Sequence, residues 1–276
     1  MPVIRVGKVG IYVQEWGAGE PLMMVHGLGM SSDLWVHQVP AFSERYHIIA
    51  VDLRGFGRSD RPTDPGAYAV EVLAGDIASV AHELGITNMH YLGTSMGGFI
   101  GQALALAEPR LCRSLVLCHT GCRMSIPQDI LEARIKALRE MSMGEYGRIV
   151  ATQALAPEPD PALFEWVVQK VARNDKRTYT QVLTEGLANF DVTDRIGTIQ
   201  APTLVIVGDC DRVIPPDEGR EVARRIPGAQ LITLSGAGHL SYAERPDAFN
   251  EVGLRFLNSV DQGRRTLGGC SSFETR

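Results

Sequence analysis

The stretch that decides the fold is Met89–Gly98, MHYLGTSMGG. A short apolar run is followed at Gly93–Gly97 by the pattern G-x-S-x-G, and an Ala- and Leu-rich segment then continues to Ala107. A strand followed at once by a helix, with serine at the turn, exposes a serine hydroxyl for nucleophilic attack. The pattern alone also fits a tight turn that happens to hold a serine. The predicted strand before it and the predicted helix after it favour the nucleophile, Ser95.

Short apolar runs alternate with helical patterns on both sides of this stretch. The predicted strands are Leu22–Val25, Tyr46–Val51, Asn88–Leu92, Ser114–Cys118, Thr203–Val207 and Gln230–Leu234. Several of these runs are continuous rather than alternating, which is typical of strands buried on both faces. With the helical patterns between them, they predict an α/β fold with a mostly parallel central sheet flanked by helices. Residues 3–14 are predicted to add an antiparallel hairpin at one edge.

One long segment interrupts this alternation. From residue 124 to residue 195 no strand pattern occurs, and apolar residues recur at helical spacing. We therefore predict a helical lid, here called the cap, at 124–195, inserted into a core domain made of 1–123 and 196–260. The segment 261–276 is rich in Gly, Ser and charged residues and is predicted to be a flexible tail.

The composition is that of an ordinary globular protein and excludes several classes. The chain has 276 residues, 45% of them hydrophobic and 21% charged, which excludes a mainly disordered, collagen-like or coiled-coil chain. The net charge of −5 gives no broad positive field, so nucleic-acid binding is not expected. Because no signal-peptide core and no apolar run of membrane-spanning length occurs, we expect no membrane association and a cytoplasmic location. The five cysteines form neither a disulfide framework nor a zinc set and are predicted to be free thiols.

A serine hydroxyl is a weak nucleophile and needs a neighbouring base. Of the seven histidines, His239 is the strongest candidate, because it follows the predicted strand Gln230–Leu234 within the small-residue sequence Gly236–His239, GAGH. His119 also follows a predicted strand, and we expect it to line the pocket without acting as the base. His26 lies in a turn and is expected to make structural hydrogen bonds.

An acid that orients the base should lie between the serine and the histidine along the chain. Two candidates, Asp209 and Asp211, follow the predicted strand Thr203–Val207. A buried carboxylate at either position would fix the imidazole tautomer and stabilise the imidazolium that forms during attack. The residue types and their order leave the choice between these two aspartates open.

Taken in order, these motifs resemble those of α/β-hydrolase-fold enzymes. The matching features are His26–Gly29 (HGLG), Asp52–Ser59 (DLRGFGRS), the serine turn, the helical cap, Gly208–Asp211 (GDCD) and Gly238–His239. They extend over nearly all of residues 3–258, and the ordered set is specific although each motif alone is weak. Within the family, the chain is most similar to carboxylesterases and 3-oxoadipate enol-lactonases.

The resemblance implies the α/β-hydrolase fold and a catalytic triad. It assigns Ser95 as the nucleophile and His239 as the base. The family places its acid three residues after the glycine of the GDCD turn, which selects Asp211 and leaves Asp209 as a loop or capping residue. The loop Asp52–Ser59 is implied to brace the sheet edge without a catalytic role.

Geometry and resemblance together predict an oxyanion hole made of two backbone amides. One comes from Met96, the residue after the nucleophile, and the other from Leu28 in the HGLG turn. Haloalkane dehalogenases and epoxide hydrolases of this fold carry a carboxylate at the nucleophile position, so Ser95 argues against both. No metal-ligand motif occurs, and we expect a mechanism without metal or cofactor.

These features predict a serine hydrolase that cleaves a small carboxylic ester or lactone through an acyl-enzyme. The same triad is compatible with a C–C bond hydrolase of a ring-cleavage product, with a ligand sensor that lacks turnover, and with perhydrolase or cofactor-free oxygenase activity. Within and beside the cap, Arg123, Arg134 and Arg173 are candidates to meet a substrate carboxylate, although surface placement is the simpler expectation for each. A homo-oligomer is compatible with the sequence.

Overall fold

A sheet of eight strands forms the centre of the computed structural model, which describes residues 3–124 and 126–263. The strands are β1 (Val3–Val6), β2 (Val9–Trp16), β3 (Glu20–Val25), β4 (Tyr46–Asp52), β5 (Met89–Thr94), β6 (Cys112–Cys118), β7 (Thr203–Gly208) and β8 (Gln230–Leu234). Their spatial order is β1-β2-β4-β3-β5-β6-β7-β8. Strands β3 to β8 pair in parallel, whereas β1 and β2 form an antiparallel hairpin and β2 pairs antiparallel with β4. All six predicted strands and the predicted edge hairpin are present.

Helices cover the sheet and form the inserted segment. They are α1 (Val39–Phe42), α2 (Val70–Glu83), α3 (Met96–Ala107), α4 (Gln128–Glu140), α5 (Met143–Ala154), α6 (Pro161–Ala172), α7 (Lys176–Gln181), α8 (Pro216–Arg225), α9 (Ser241–Glu244) and α10 (Pro246–Asp261). Short 3₁₀ turns lie at Ser32–Trp35 and Ile196–Thr198, and a π-helical turn lies at Val182–Leu187. Of the helices described, none combines the length and apolar character needed to cross a membrane.

The continuous apolar runs arise because both faces of the sheet are buried. In β3, Met23 and Val25 contribute to the hydrophobic core on one face, and Leu22 and Met24 contribute to the core on the other. All four side chains are fully buried. Alternate residues of a strand point to opposite faces, so a two-sided core requires an apolar residue at every position.

The segment predicted as a helical cap contains helices α4 to α7 and the π-helical turn. Within its described residues, strand-like pairing is limited to a single bridge between Asp191 and Arg123 at the base of the insertion. Local signals start these helices: Ser142 and Glu145 form a capping box at α5, and Asp160 caps α6. The structure thus places helices where the spacing of apolar residues predicts them.

The segment predicted as a flexible tail overlaps the last residue of α10. Its first residue, Asp261, ends α10 and accepts hydrogen bonds from the Tyr46 hydroxyl (3.0 Å) and His90 Nε2 (3.1 Å), and it pairs with Arg113 (2.8 Å). The Gly- and Ser-rich composition gives no sign of these contacts, because their partners lie far away in the sequence. Residues 264–276 lie outside the described residues.

The loop Asp52–Ser59 braces one side of the core, as expected. Asp52 accepts hydrogen bonds from the backbone N–H groups of Ser32 (2.6 Å) and Arg58 (2.8 Å). Arg54 donates to both carboxylate oxygens of Asp76 on α2, at 2.6 and 2.5 Å. Only 11% of the Arg54 side chain and 3% of the Asp76 side chain are exposed, so the loop is joined to α2 by a buried ion pair.

We expect Asp76→Ala to lower the free energy of unfolding by about 3–5 kcal/mol, because it leaves the buried Arg54 guanidinium without a counter-charge. Urea denaturation at neutral pH measures this loss. The double variant Arg54→Met/Asp76→Leu is the control, since it removes both charges and is expected to cost less than Asp76→Ala. If Asp76→Ala is as stable as the double variant, or more stable, this account of the ion pair is contradicted.

Candidate active site

Ser95 stands on a sharp turn between β5 and α3. Its backbone has φ +55° and ψ −117°, a sparsely allowed conformation that costs about 1–3 kcal/mol for a residue other than glycine. Several backbone hydrogen bonds hold the turn. The Ser95 N–H donates to the Cys118 carbonyl at the end of β6 (2.8 Å), and the Ser95 carbonyl accepts from the N–H groups of Gly98 (2.8 Å) and Phe99 (3.2 Å).

The glycines of the G-x-S-x-G pattern are required by close backbone approach. A Cβ atom at Gly93 would lie 2.3 Å from the Gly97 carbonyl oxygen, and a Cβ atom at Gly97 would lie 2.3 Å from the Val25 carbonyl oxygen. Both distances are far below van der Waals contact. The strand, the helix and the end of β3 therefore converge at this turn only because two positions carry no side chain.

Asp211 follows β7 and is buried, with 1% of its side chain exposed. Its Oδ1 accepts hydrogen bonds from the backbone N–H groups of Val213 (2.9 Å) and Ile214 (3.0 Å). Its Oδ2 accepts from Nδ1 of His239 (2.8 Å) and from Nδ1 of His119 (3.0 Å). Burial opposes ionisation, but the charge of His239 and the hydrogen bonds from both imidazoles outweigh it and hold the pKa of Asp211 well below its usual range.

His239 follows β8 on the small-residue segment that the sequence singles out. Because its Nδ1 donates to Asp211, its Nε2 remains available on the pocket side, where 8% of the side chain is exposed. The cap touches this segment directly. The His239 N–H donates to the Ala154 carbonyl (2.6 Å), and a Cβ atom at Gly238 would lie 2.5 Å from the same oxygen. The small residues before His239 therefore allow the cap to approach the base.

The other candidate acid lies apart from the imidazole. Asp209 is exposed and accepts hydrogen bonds from the Ser235 hydroxyl (3.1 Å) and the Gly236 N–H (2.8 Å). It holds the loop that leads to His239 without contacting the ring. Of the two aspartates, Asp211 is the one that the structure brings to His239.

His119 does not line the pocket, contrary to our expectation. Its side chain is fully buried behind Asp211, with Nδ1 at 3.0 Å from Asp211 Oδ2 and Nε2 at 2.7 Å from the Ser241 hydroxyl. Burial lowers the pKa of His119, although the neighbouring carboxylate opposes this shift. The sequence does contain a sign of this contact. His119 comes directly after β6, and adjacent parallel strands end at the same edge of the sheet, so His119 could have been expected near Asp211.

His26 makes structural hydrogen bonds, as expected. Its Nε2 accepts from the Leu53 N–H (3.0 Å), so its Nδ1 carries the hydrogen and donates to the Gly27 carbonyl (2.7 Å). Burial lowers the pKa of His26, which agrees with a neutral ring. These bonds fix the turn that carries Leu28 next to Ser95: a Cβ atom at Gly27 would lie 3.7 Å from Ser95 Oγ.

Ser95 and His239 line one pocket, a cavity of about 90 Å³ between the core and the cap. Among the described residues, none is hydrogen-bonded to the Ser95 hydroxyl in this structure, so the two side chains share the pocket without a hydrogen bond between them. Catalytic hydrogen bonds are often long in the absence of substrate and tighten when it binds. A larger groove of about 640 Å³, lined by Trp166 and Glu244 among others, contains neither residue.

The two predicted oxyanion donors, Leu28 and Met96, come from the pocket lining and from the residue after Ser95. Leu28 lines the pocket, and Met96 is the first residue of α3, where helix geometry leaves an N–H without an intrahelical acceptor. Among residues 3–124 and 126–263, no acceptor is hydrogen-bonded to the N–H of Leu28 or Met96. Both amides are therefore available for an oxygen that develops negative charge.

The ligand atoms of His119, Asp211 and His239 lie within 4.8 Å of one another, close enough to hold a metal ion. Hydrogen bonds already account for this proximity. The carboxylate accepts from Nδ1 of both rings, and the remaining nitrogen of His119 is engaged with Ser241. The arrangement is therefore suited to orienting a base and stabilising its protonated form.

Known proteins are similar to this chain over most of its length. A family model for the α/β hydrolase fold matches residues 20–146, and a model for TAP-like proteins matches residues 185–264. A putative carbamate hydrolase, RutD, from Azorhizobium caulinodans is 29% identical over 95% of this chain and 100% of the relative. 3-Oxoadipate enol-lactonase 2 from Acinetobacter baylyi is 30% identical over 84% of this chain and 86% of the relative.

The same fold occurs in solved structures. The enol-lactonase from Burkholderia xenovorans superposes with a TM-score of 0.87 at 28% identity, covering 93% of this chain and 100% of that one. Its similarity confirms the fold predicted from the ordered motifs.

The low pKa of Asp211 predicts a loss of stability in acid. A carboxyl group whose pKa is lowered by folding stabilises the protein above its unfolded-state pKa of about 4, and this contribution is lost as the pH falls further. We therefore expect the difference in unfolding free energy between the wild type and Asp211→Asn to shrink by about 1.4 kcal/mol per pH unit below pH 4.

Chemical denaturation at a series of pH values measures this difference. Asp209→Asn is the matched control, because this exposed aspartate lies two residues earlier on the same turn. We expect this pH dependence for Asp211→Asn and not for Asp209→Asn. A difference that stays constant from pH 5 to pH 3 would show that Asp211 is not held in its ionised form by folding.

Proposed function

The chain belongs to the α/β-hydrolase family, and we propose that it is a serine hydrolase that cleaves a small carboxylic ester or lactone through an acyl-enzyme. The observation that supports this best is the hydrogen bond between His239 and the buried Asp211, beside a pocket that also holds Ser95 on a strained turn. The enol-lactonase relatives support a lactone, and the carbamate hydrolase relative supports attack on a carbonyl carbon.

In the proposed acylation step, the Ser95 oxygen attacks the carbonyl carbon of the substrate while His239 Nε2 takes the hydroxyl proton. Asp211 holds the imidazole in the tautomer with a hydrogen on Nδ1, so that Nε2 is free to accept the proton. As His239 becomes positively charged, the ionised carboxylate stabilises it. The tetrahedral intermediate then collapses, and His239 returns the proton to the departing alkoxide.

In the proposed deacylation step, His239 removes a proton from water, and the hydroxide attacks the Ser95 ester. Collapse of the second intermediate releases the carboxylic acid and restores the serine. In both steps the carbonyl oxygen carries negative charge, which we assign to the backbone amides of Leu28 and Met96. Removing one such donor costs about 3–4 kcal/mol of transition-state stabilisation in related chemistry.

The pocket supports an anionic substrate. Of the described residues that line it, none is acidic, and Arg134 of α4 supplies its one basic side chain that is permanently charged. The described part of the chain offers the half-buried Arg134 guanidinium no carboxylate or other hydrogen-bond acceptor. Its charge also reaches the phenols of Tyr146 and Tyr179, where it opposes the rise in pKa that burial causes.

A guanidinium without an acceptor among the described residues, in a pocket that holds no acidic side chain, is suited to bind a carboxylate through two parallel hydrogen bonds. Of the three arginines that the sequence left open, Arg134 is the one in the pocket, and Arg173 is exposed at the end of α6. We therefore propose that the acyl part of the substrate carries a second carboxylate, which Arg134 binds.

We expect Ser95→Ala to lower kcat/KM for a short p-nitrophenyl ester by about 10⁴-fold or more, because the nucleophile is lost while the fold is retained. A fluorophosphonate probe should label Ser95 in the wild type, as located by peptide mapping. Ser79→Ala, at a partly exposed serine of α2 outside the pocket, is the control and should keep its activity. Labelling of another serine, or activity retained in Ser95→Ala, would refute the proposed nucleophile.

The wild type and Ser95→Ala also distinguish the other candidate reactions. A panel of p-nitrophenyl esters, enol-lactones, homoserine lactones, carbamates and ring-fission diketones identifies the bond that is cleaved. Turnover of diketones with poor activity on esters would favour C–C bond hydrolysis. Thermal stabilisation by a ligand that is never turned over would favour a sensor.

We expect Arg134→Gln to lower kcat/KM for p-nitrophenyl hemisuccinate by about 10- to 100-fold, because it removes a hydrogen bond between charged groups. For p-nitrophenyl butyrate, of similar length but neutral, the change should stay within about threefold, since the guanidinium has no partner there. Arg173→Gln is the matched control and should affect neither ester. An equal loss on both esters would show that Arg134 supports the cap instead of binding a carboxylate.

A further inference from the structure

We propose that His119 is a positioning residue of the triad: it holds Asp211 in place from behind and weakens the pull of that carboxylate on the proton of His239. This inference rests on the proposed function, because it concerns the same base. The observation behind it is a second imidazole, fully buried and absent from the pocket lining, that donates to the same Asp211 oxygen as His239 does.

The order of the strands creates this arrangement. β6, β7 and β8 are adjacent and parallel, and their carboxyl ends lead to His119, Asp211 and His239 in turn. The acid therefore accepts from two imidazoles, whose ring centroids lie 5.4 Å apart. Neighbouring strands are about 4.8 Å apart, so residues just past their ends come within hydrogen-bond reach of one another.

The proton positions follow from the donor and acceptor properties of the groups. An ionised carboxylate only accepts, so Nδ1 of His119 must carry the hydrogen that it shares with Asp211. Burial keeps the His119 ring neutral, which leaves a lone pair on Nε2. The Ser241 hydroxyl, 2.7 Å away and itself fully buried, then donates to that lone pair. Ser241 thus fixes the tautomer of His119 that can hold Asp211.

The backbone of His119 is held as firmly as its ring. Its φ of +52° is rare for a residue with a side chain and persists only where surrounding contacts enforce it. The His119 N–H donates to the Ile206 carbonyl of β7 (2.9 Å), and the preceding carbonyl, that of Cys118, accepts from Ser95 (2.8 Å). A single strand end therefore connects the nucleophile turn to the acid.

The effect on the base follows from sharing one oxygen. A hydrogen bond from a neutral donor stabilises the negative charge of Asp211 and makes its Oδ2 a weaker acceptor. Asp211 then stabilises the protonated form of His239 less than it would if His239 were its only imidazole partner. The second imidazole therefore sets how strongly Asp211 stabilises the protonated form of His239.

Besides Asp211 and His119, the Glu244 carboxyl group interacts electrostatically with His239, and Arg134, Tyr146, Tyr179 and Tyr242 line the same pocket as His239. The Glu244 carboxyl group accepts hydrogen bonds from the N–H groups of Ala156 (2.7 Å), Gly238 (2.9 Å) and Leu240 (3.3 Å). Burial raises its pKa, and these bonds and His239 oppose that rise. Because Glu244 is the same in every variant tested, a change confined to His119 isolates the contribution of the second imidazole.

Two replacements separate the hydrogen bond from the volume of the ring. Asn places an N–H on the atom that corresponds to His119 Nδ1, because both nitrogens are attached to Cγ. Leu places a methyl group there and cannot donate. His119→Asn therefore retains the contact with Asp211 and loses the one with Ser241, whereas His119→Leu loses both.

We expect His119→Leu to lower kcat/KM on the ester that the wild type turns over by about 10- to 100-fold, as for a lost hydrogen bond to a charged group. We also expect the acid limb of its pH profile to move to higher pH by about one unit. In His119→Asn the limb should stay near that of the wild type, and activity should be at least about tenfold higher than in His119→Leu. Activities are expressed per folded molecule, with the folded fraction taken from thermal unfolding.

His90→Leu is the matched control. His90 is also buried and bonded to a serine and an aspartate, Ser114 (2.7 Å) and Asp261 (3.1 Å), but it lies at the other end of the strands. It should lower stability without moving the acid limb. Identical pH profiles for the wild type and His119→Leu, or equal profiles for the Leu and Asn variants, would overturn the proposal and leave His119 with a structural role.

An NMR titration of the His239 ring keeps this test independent of turnover. The midpoint for His239 should rise in His119→Leu and stay in place in His119→Asn, whatever substrate the enzyme takes. If the midpoint moves as expected while Ser95→Ala retains activity, the proposed function fails and the role of His119 stands. If Ser95→Ala is inactive and the midpoint does not move, the inference about His119 fails alone.

Discussion

The structure of the site depends on keeping one carboxylate ionised in a place that water does not reach. Moving a carboxylate out of water costs several kcal/mol unless charges and hydrogen bonds compensate for it. Asp211 receives four donors: two backbone N–H groups of its own turn and two imidazoles from the ends of the neighbouring strands. Each donor is supplied by a rigid element, so the carboxylate cannot rotate away from His239 without losing bonds on its other side. The donors that offset the cost of burying this charge therefore also fix the orientation of the His239 imidazole.

This constraint explains why a parallel sheet suits the chemistry. Strands β5, β6, β7 and β8 are neighbours that end at the same edge, and the residues that follow them include Ser95, His119, Asp211 and His239. The chain separates these side chains by up to 144 positions, from residue 95 to residue 239. The parallel pairing of these strands brings the side chains to one edge of the sheet. The strain at Ser95 and His119 is tolerated because the strand ends below both residues are fully buried and paired.

The sequence predicts those parts of the molecule that local patterns determine. Strands buried on both faces appear as continuous apolar runs, and the glycines at 93 and 97 reveal a close backbone approach that no other residue allows. The role of His119 was missed because its partners, Asp211 and Ser241, are 92 and 122 residues away. The choice of Arg134 from three arginines depends on the face that α4 turns toward the pocket. Asp261, assigned to a flexible tail, is ordered by partners from three other elements. All three cases involve polar contacts between distant elements, which leave no periodic pattern in the chain.

The contacts between cap and core also divide the site into a fixed half and a variable half. The end of α5 is joined to the loops of both the base and the acid: the Ala154 carbonyl accepts from the His239 N–H (2.6 Å), and the carbonyls of Thr152 and Leu155 accept from Arg212 (2.5 and 2.8 Å), next to Asp211. A movement of α5 would therefore disturb the triad itself. Helix α4, by contrast, buries only Leu138 and presents Arg134 to the pocket. Under the proposed function, changes in α4 would alter which acyl group Arg134 binds while leaving unchanged the orientation of His239, which α5 contacts.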